Sequence, residues 1–144
     1  MGRVGTFSPM TIERMLISTG TPWETKVGYS RAVRVGETVF VSGTVAADES
    51  GAIVSPRDAG EQARFILRKI EKALREAGAS MSDVVRTRMY VTDMAHMDAV
   101  GSAHGEFFRD VRPASTMVAV AGLVPGALVE IEVDAVVDSR HGRD

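Results

Sequence analysis

The chain has 144 residues, of which 44% are hydrophobic and 25% charged, with a formal net charge of −2. That length predicts one domain burying about 68–70% of its unfolded surface, and the balanced charge gives no global field to recruit nucleic acid or an anionic membrane. The sequence has no cysteine, which excludes disulfides, thiol nucleophiles and thiolate metal ligands and fits a reducing, cytoplasmic setting.

Residues 1–10 read as a flexible leader, 11–138 as the domain and 139–144 as a polar tail. No apolar run reaches the ~20 residues of a membrane span, and the first residues lack a signal-peptide apolar core. Residues 11–17 are strand-like. Residues 30–35 and 38–45 are β-rich, with Gly36-Glu37 as a tight hairpin between them. Asp48-Glu49-Ser50-Gly51 makes a second turn, and Ile53-Val54 is a short strand after it. Ser55 then caps a helix, Pro56 fits its first turn and Asp58 completes a capping-box-like pattern. Apolar residues at Ala63, Ile66, Leu67, Ile70, Leu74 and Ala77 carry this helix to Ala77, before Gly78. Residues 84–91 form a strand, and Thr92-Asp93 caps a second helix over 95–109. Residues 116–120 and 128–137 form a last strand pair, turned by Val124-Pro125-Gly126.

This order predicts an α+β sandwich, one sheet with two helices on one face. Strand alternation puts Arg86, Arg88 and Tyr90 on one side, and Glu130, Glu132 and Asp134 on one side opposite Ile131, Val133 and Ala135. A charged face opposite the helices meets water or another subunit, and a glutamate-rich strand favours a subunit that pairs it.

Several segments share an order with a known family: Gly28-Tyr29-Ser30-Arg31-Ala32, Val41-Ser42-Gly43-Thr44, Glu61-Gln62-Ala63, Ala77-Gly78, Asp83-Val84-Val85-Arg86-Thr87 and Val91-Thr92-Asp93. Arg112-Pro113-Ala114-Ser115-Thr116-Met117-Val118 and Val129-Glu130-Ile131-Glu132-Val133 complete the set. Together they resemble the RidA (YjgF) family of imine and enamine deaminases, over about residues 27–137. The resemblance implies a chorismate-mutase-like subunit, one mixed sheet with two helices on one face, forming a homotrimer with a metabolite cleft between neighbouring subunits. It implies that Tyr29 and Ser42 line that cleft and that Glu130 positions an attacking water. It also marks three departures. Ser115 stands where deaminating members have a carboxylate-gripping arginine, Met117 where many have cysteine, and Gly101 where a cleft asparagine is expected.

An arginine presents two parallel donors to a carboxylate, and serine presents one neutral donor. Arg88 offers a substitute cation from the same strand face as Tyr90, or else it pairs with Glu130 or Glu132. Tyr29 and Ser42 also read as packing and turn residues, and Glu130 and Glu132 as an interfacial ladder. His96 and His104 sit about 12 Å apart along one helix and cannot share a metal, so no metal site is expected; no cofactor is expected either. His104 falls with Met97, Val100 and Phe107 on a core-facing stripe. Gly101 and Gly105 suit close packing on the sheet. Arg64, Arg68, Lys72 and Arg75 form a stripe that reads as a solvated face interleaved with Glu61, Glu71 and Glu76, or as a phosphate contact. Phe65 lies on that polar face.

Three functions follow. The first is hydrolysis of a reactive imine or enamine whose substrate is not a standard 2-imino acid. The second is a non-catalytic trimer that binds a small metabolite. The third, RNA binding or cleavage, is disfavoured by the net charge and the 6% aromatic content.

Overall fold

The computed structural model describes residues 13–138; the expected leader and polar tail lie outside them. The chain is a single α+β domain built on one mixed, six-stranded sheet. The strands are β1 (Arg14–Ile17), β2 (Ala32–Val35), β3 (Thr38–Thr44), β4 (Val84–Val91), β5 (Ala114–Ala119) and β6 (Val129–Val136). Helix α1 (Pro22–Val27) follows β1, α2 (Ala59–Glu76) follows β3, and α3 (Met97–Phe108) follows β4. The strand order is β1-β2-β3-β6-β4-β5, antiparallel throughout except for the parallel β4–β5 pair.

The core lies between α2, α3 and one face of this sheet. Ile66, Leu67, Ile70 and Leu74 of α2 are fully buried, as the apolar spacing required. In β6, Val129, Ile131, Val133 and Ala135 point into the same core, and Glu130, Glu132 and Asp134 point away from it. In β4, Thr87, Met89 and Val91 are buried, and Arg86, Arg88 and Tyr90 stand half-buried on the open face.

Several expectations are corrected. Helix α2 starts at Ala59, and its cap is Asp58, whose side chain accepts from the Glu61 N–H at 3.0 Å. Ser55 lies in a turn with φ 46° and caps nothing. Buried Gln62 ties this turn to the loop before β6: its Nε2 donates to Val54, Ser55 and Gly126 carbonyls, and its Oε1 accepts from Leu128 N–H. Ile53 and Val54 form no strand; Ile53 makes one isolated bridge with Ala47. The second helix is preceded by a 3₁₀ turn, Met94–His96, capped by Asp93. Helix α1 was not expected.

The largest correction is that the last two strands do not pair with each other. Fully buried alternate residues put β6 in the centre, between β3 and β4. Strand β5, exposed at most positions, takes the edge beside β4. After α2, Gly78 turns the chain with φ 84°, and any Cβ there would strike Arg34 Nη1, which donates to the Ala77 carbonyl at 2.8 Å.

Candidate functional site

The predicted site residues fall into two groups on opposite faces of the sheet. The first gathers where β3 meets β6. The register between these strands shifts between Val41 and Thr44, so Ser42-Gly43 forms a bulge. Glu130 projects over that bulge, and a Cβ on Gly43 would overlap Glu130 Oε2. Glycine is therefore the residue that leaves room for the carboxylate. Across β4, Glu130 faces Tyr90.

Arg31 braces the bulge from below. It is 9% exposed, and its Nη2 donates to the Gly43 carbonyl at 3.2 Å while Nη1 donates to Thr44 Oγ1 at 3.1 Å. Its Nε lies 4.0 Å from Glu24 Oε2 without a hydrogen bond, and its guanidinium lies 5.7 Å from the Tyr29 ring centre. Ser42 donates its only hydroxyl proton to the Ser30 carbonyl at 2.6 Å, so toward a ligand it acts as an acceptor.

Burial pushes the Glu130 carboxyl above the usual 4.5, Glu132 adds to the rise, and Arg31 opposes it. Arg88 takes the structural option. Its Nη1 donates to Glu132 Oε2 at 3.1 Å and to Asp134 Oδ2 at 3.3 Å, and Tyr90 donates to Glu132 Oε1 at 3.1 Å. Glu132 is thus held in place, and Glu130 accepts no hydrogen bond from any described residue.

The second group lies between β5 and α3, on the helix side. Ser115 sits opposite Thr87 in the parallel ladder, and Met117 opposite Met89. Fully buried Thr87 donates to Ser115 Oγ at 2.8 Å and shares its own oxygen with His104 Nε2 at 2.9 Å. His104 packs on Phe108 with ring centres 4.7 Å apart, and burial pushes its imidazole below the usual 6.5. Beside it, Gly105, Phe108, Arg109, Arg112 and Pro113 line a shallow cavity of about 390 Å³.

Three readings around these helices change, and that of the basic stripe holds. His104 is a half-buried polar link rather than a member of a uniform core stripe, for Val100 is buried but Met97 is 43% exposed. Gly101 and Gly105 do not serve close packing, since a Cβ on either would meet nothing within 4 Å. Phe65 packs against the core and lines a cavity of about 560 Å³ with Arg31, Lys69 and Lys72. The basic stripe is an ion-paired face in part: Arg64 bonds Glu61 and Glu106, and Arg75 bonds Glu71. Among the described residues no three His, Asp or Glu converge in a metal-ligating cluster.

Arg31 and Gly43 were quoted in the family segments but given no role. An arginine directly after Tyr-Ser and a glycine inside a predicted strand were the available signals. Nothing local signals the His104–Thr87–Ser115 chain.

The family profile described as Endoribonuclease L-PSP matches residues 19–137. The chain belongs to the YjgF/RidA family. A crystal structure of a YjgF/YER057c/UK114 family member from Mycobacterium tuberculosis superposes with a TM-score of 0.78 at 47% identity, covering 87% of this chain and all of that one. The 2-iminobutanoate/2-iminopropanoate deaminase of Mus musculus is 35% identical, covering 88% of this chain and 93% of its own. The 3-aminoacrylate deaminase RutC of Acinetobacter baylyi is 33% identical, covering 83% and 94%. An uncharacterized protein of Streptomyces coelicolor is 36% identical, covering 83% of this chain and 89% of its own.

Proposed function

We propose that this protein is a cytoplasmic homotrimer that hydrolyses a reactive imine or enamine, with Glu130 orienting the attacking water. One observation carries the reading. Glu130 is a half-buried carboxylate bonded to no described residue, seated over a glycine that makes room for it. Perturbed, unpartnered carboxylates of this kind mark functional sites. The water oxygen adds to the C=N carbon and its proton passes through Glu130 to the nitrogen. The new hydroxyl then gives its proton to the nitrogen as the C–N bond breaks, which releases ammonia and leaves a carbonyl. No cofactor or metal enters this step. Two relatives named as deaminases support the reaction class.

The divided geometry supports the proposed assembly. Glu130 stands over the Ser42-Gly43 bulge on the open sheet face, and Ser115 and Met117 lie opposite buried Thr87 and Met89 on the helix face. A chorismate-mutase-like trimer joins one subunit's first flank to its neighbour's second. The open sheet face also exposes Phe40 (48%) and Leu16 (60%) beside its charged residues, as suits a covered surface. Ser115 in place of a charged fork weakens carboxylate binding by about 1.5–3 kcal/mol, or one to two decades. The substrate is therefore not a standard 2-imino acid.

The second reading is a metabolite-binding trimer without turnover, favoured by Ser42, whose proton is already committed to Ser30. RNA is disfavoured because Arg64 and Arg75 are ion-paired.

The test is imine hydrolysis beside solution mass. An amino-acid oxidase generates imines in situ and semicarbazide traps those that survive. A dose-dependent fall in trapped imine, from protein of trimeric mass, supports the reading. No effect on any imine, beside an active arginine-bearing relative, transfers support to the binding reading.

A further inference from the structure

We propose that His104, Thr87 and Ser115 form a one-way hydrogen-bond donor relay that selects a ligand by the carbonyl oxygen of an uncharged amide or ester in preference to a carboxylate. The inference rests on the cleft reading above for what lies next to that carbonyl.

A proton count sets the direction. Thr87 has one hydroxyl proton and gives it to Ser115 Oγ at 2.8 Å. Its oxygen can then only accept from His104, so the imidazole carries its proton on Nε2, 2.9 Å away. Ser115 receives a hydrogen bond and keeps its own proton, exposed at the sheet edge. Each link points outward, and aligned links polarise one another, which sharpens the last O–H as a donor.

The relay is also neutral. Thr87 is fully buried and His104 stands against Phe108, where burial holds the imidazole uncharged at neutral pH. Arg109 and Arg112 line the cavity that His104 shares, and Ser115 is not part of that lining. A single neutral donor satisfies one carbonyl oxygen. It leaves a carboxylate with its second oxygen and its charge unmatched, and burying unmatched charge is costly. Three residues before His104, Gly101 leaves open space where any side chain would project, as does Gly105.

The experiment uses the intact protein and two stable carbonyls of one skeleton, pyruvamide and pyruvate, with binding measured by calorimetry. We expect pyruvamide to bind about tenfold more tightly, the worth of one good hydrogen bond. Ser115→Ala should remove that preference. Thr87→Val should reduce it, and Thr87→Ser, which keeps the hydroxyl, should retain it. Ser115 is exposed, so its alanine variant folds even if Thr87→Val does not; thermal melts check both. Equal or tighter binding of pyruvate, binding of neither probe, or an unchanged ratio in Ser115→Ala overturns the relay. Imine turnover by wild type alongside such a result leaves the hydrolase reading standing. Amide-selective binding without any turnover overturns the hydrolase reading and keeps the relay.

Discussion

The two flanks of the site hold their functional groups by opposite means. The β3–β6 flank is built on charge: Arg31 is buried under the bulge, and Glu130 fills the space above Gly43. The β5–α3 flank is built on neutral hydroxyls, from His104 through Thr87 to Ser115. A carboxylate held in a half-buried place at raised pKa suits proton transfer. A neutral donor at an exposed edge suits recognition. The contrast assigns chemistry to one flank and selectivity to the other, and it can be broken from either side.

The largest effect is expected from Glu130→Gln. Removing a group that moves a proton lowers hydrolysis by about 10²–10⁴-fold. Stability should move the other way. Because the folded pKa of Glu130 is raised, its contribution to stability is full below the unfolded value and is lost as pH rises through the folded value. Above the folded value the ionised carboxylate is therefore a burden, and there the glutamine variant should melt at or above the wild-type temperature. Hydrolysis measured beside a thermal scan tests both signs; loss of activity with a lower melting temperature would point to a structural role.

Ser115→Arg comes next. Restoring a charged fork should raise turnover or binding of 2-imino acids by about ten- to a hundredfold. A panel of oxidase-generated imines checks it. No gain in any carboxylate-bearing imine would mean that the flank lacks the geometry to use a cation. A smaller loss, about tenfold, is expected for Gly43→Ala. The added methyl displaces Glu130 Oε2, which lies at the end of a flexible side chain, so the fold should persist while the water is misplaced. Unchanged turnover would show that the carboxylate works equally well from a second position.

The fold was legible wherever one periodicity dominated. Strand β4 has its expected bounds, the β6 alternation was read correctly, and α2 buries the apolar residues its spacing named. Pairing was not legible. Strands β5 and β6 follow one another in sequence, yet β6 inserts between β3 and β4, a choice made by its buried face and not by its turn. The site was legible as residues and not as geometry. Arg88 was read with two partners in view, and the structure gives it Glu132 and Asp134. The Ser42-Gly43 bulge arises from a register shift against a distant strand. Thr87, His104 and Ser115 lie on three elements, and only the folded sheet makes them neighbours.

The smallest effect is also the one most specific to the charged flank. Arg31 supports the Gly43 carbonyl and opposes the rise in the Glu130 pKa, whereas burial and Glu132 drive it. Arg31→Gln keeps an amide donor near the bulge and removes the charge. If hydrolysis needs ionised Glu130, the rate falls as pH drops through its raised folded pKa, and that acid limb lies above the ordinary 4.5. Without Arg31 the rise goes unopposed, so the acid limb should move to higher pH while the rate on the alkaline plateau changes little. A merely structural arginine would lower the plateau and leave the limb in place. Recording the full pH profile therefore separates an electrostatic partner of Glu130 from a brace under the bulge.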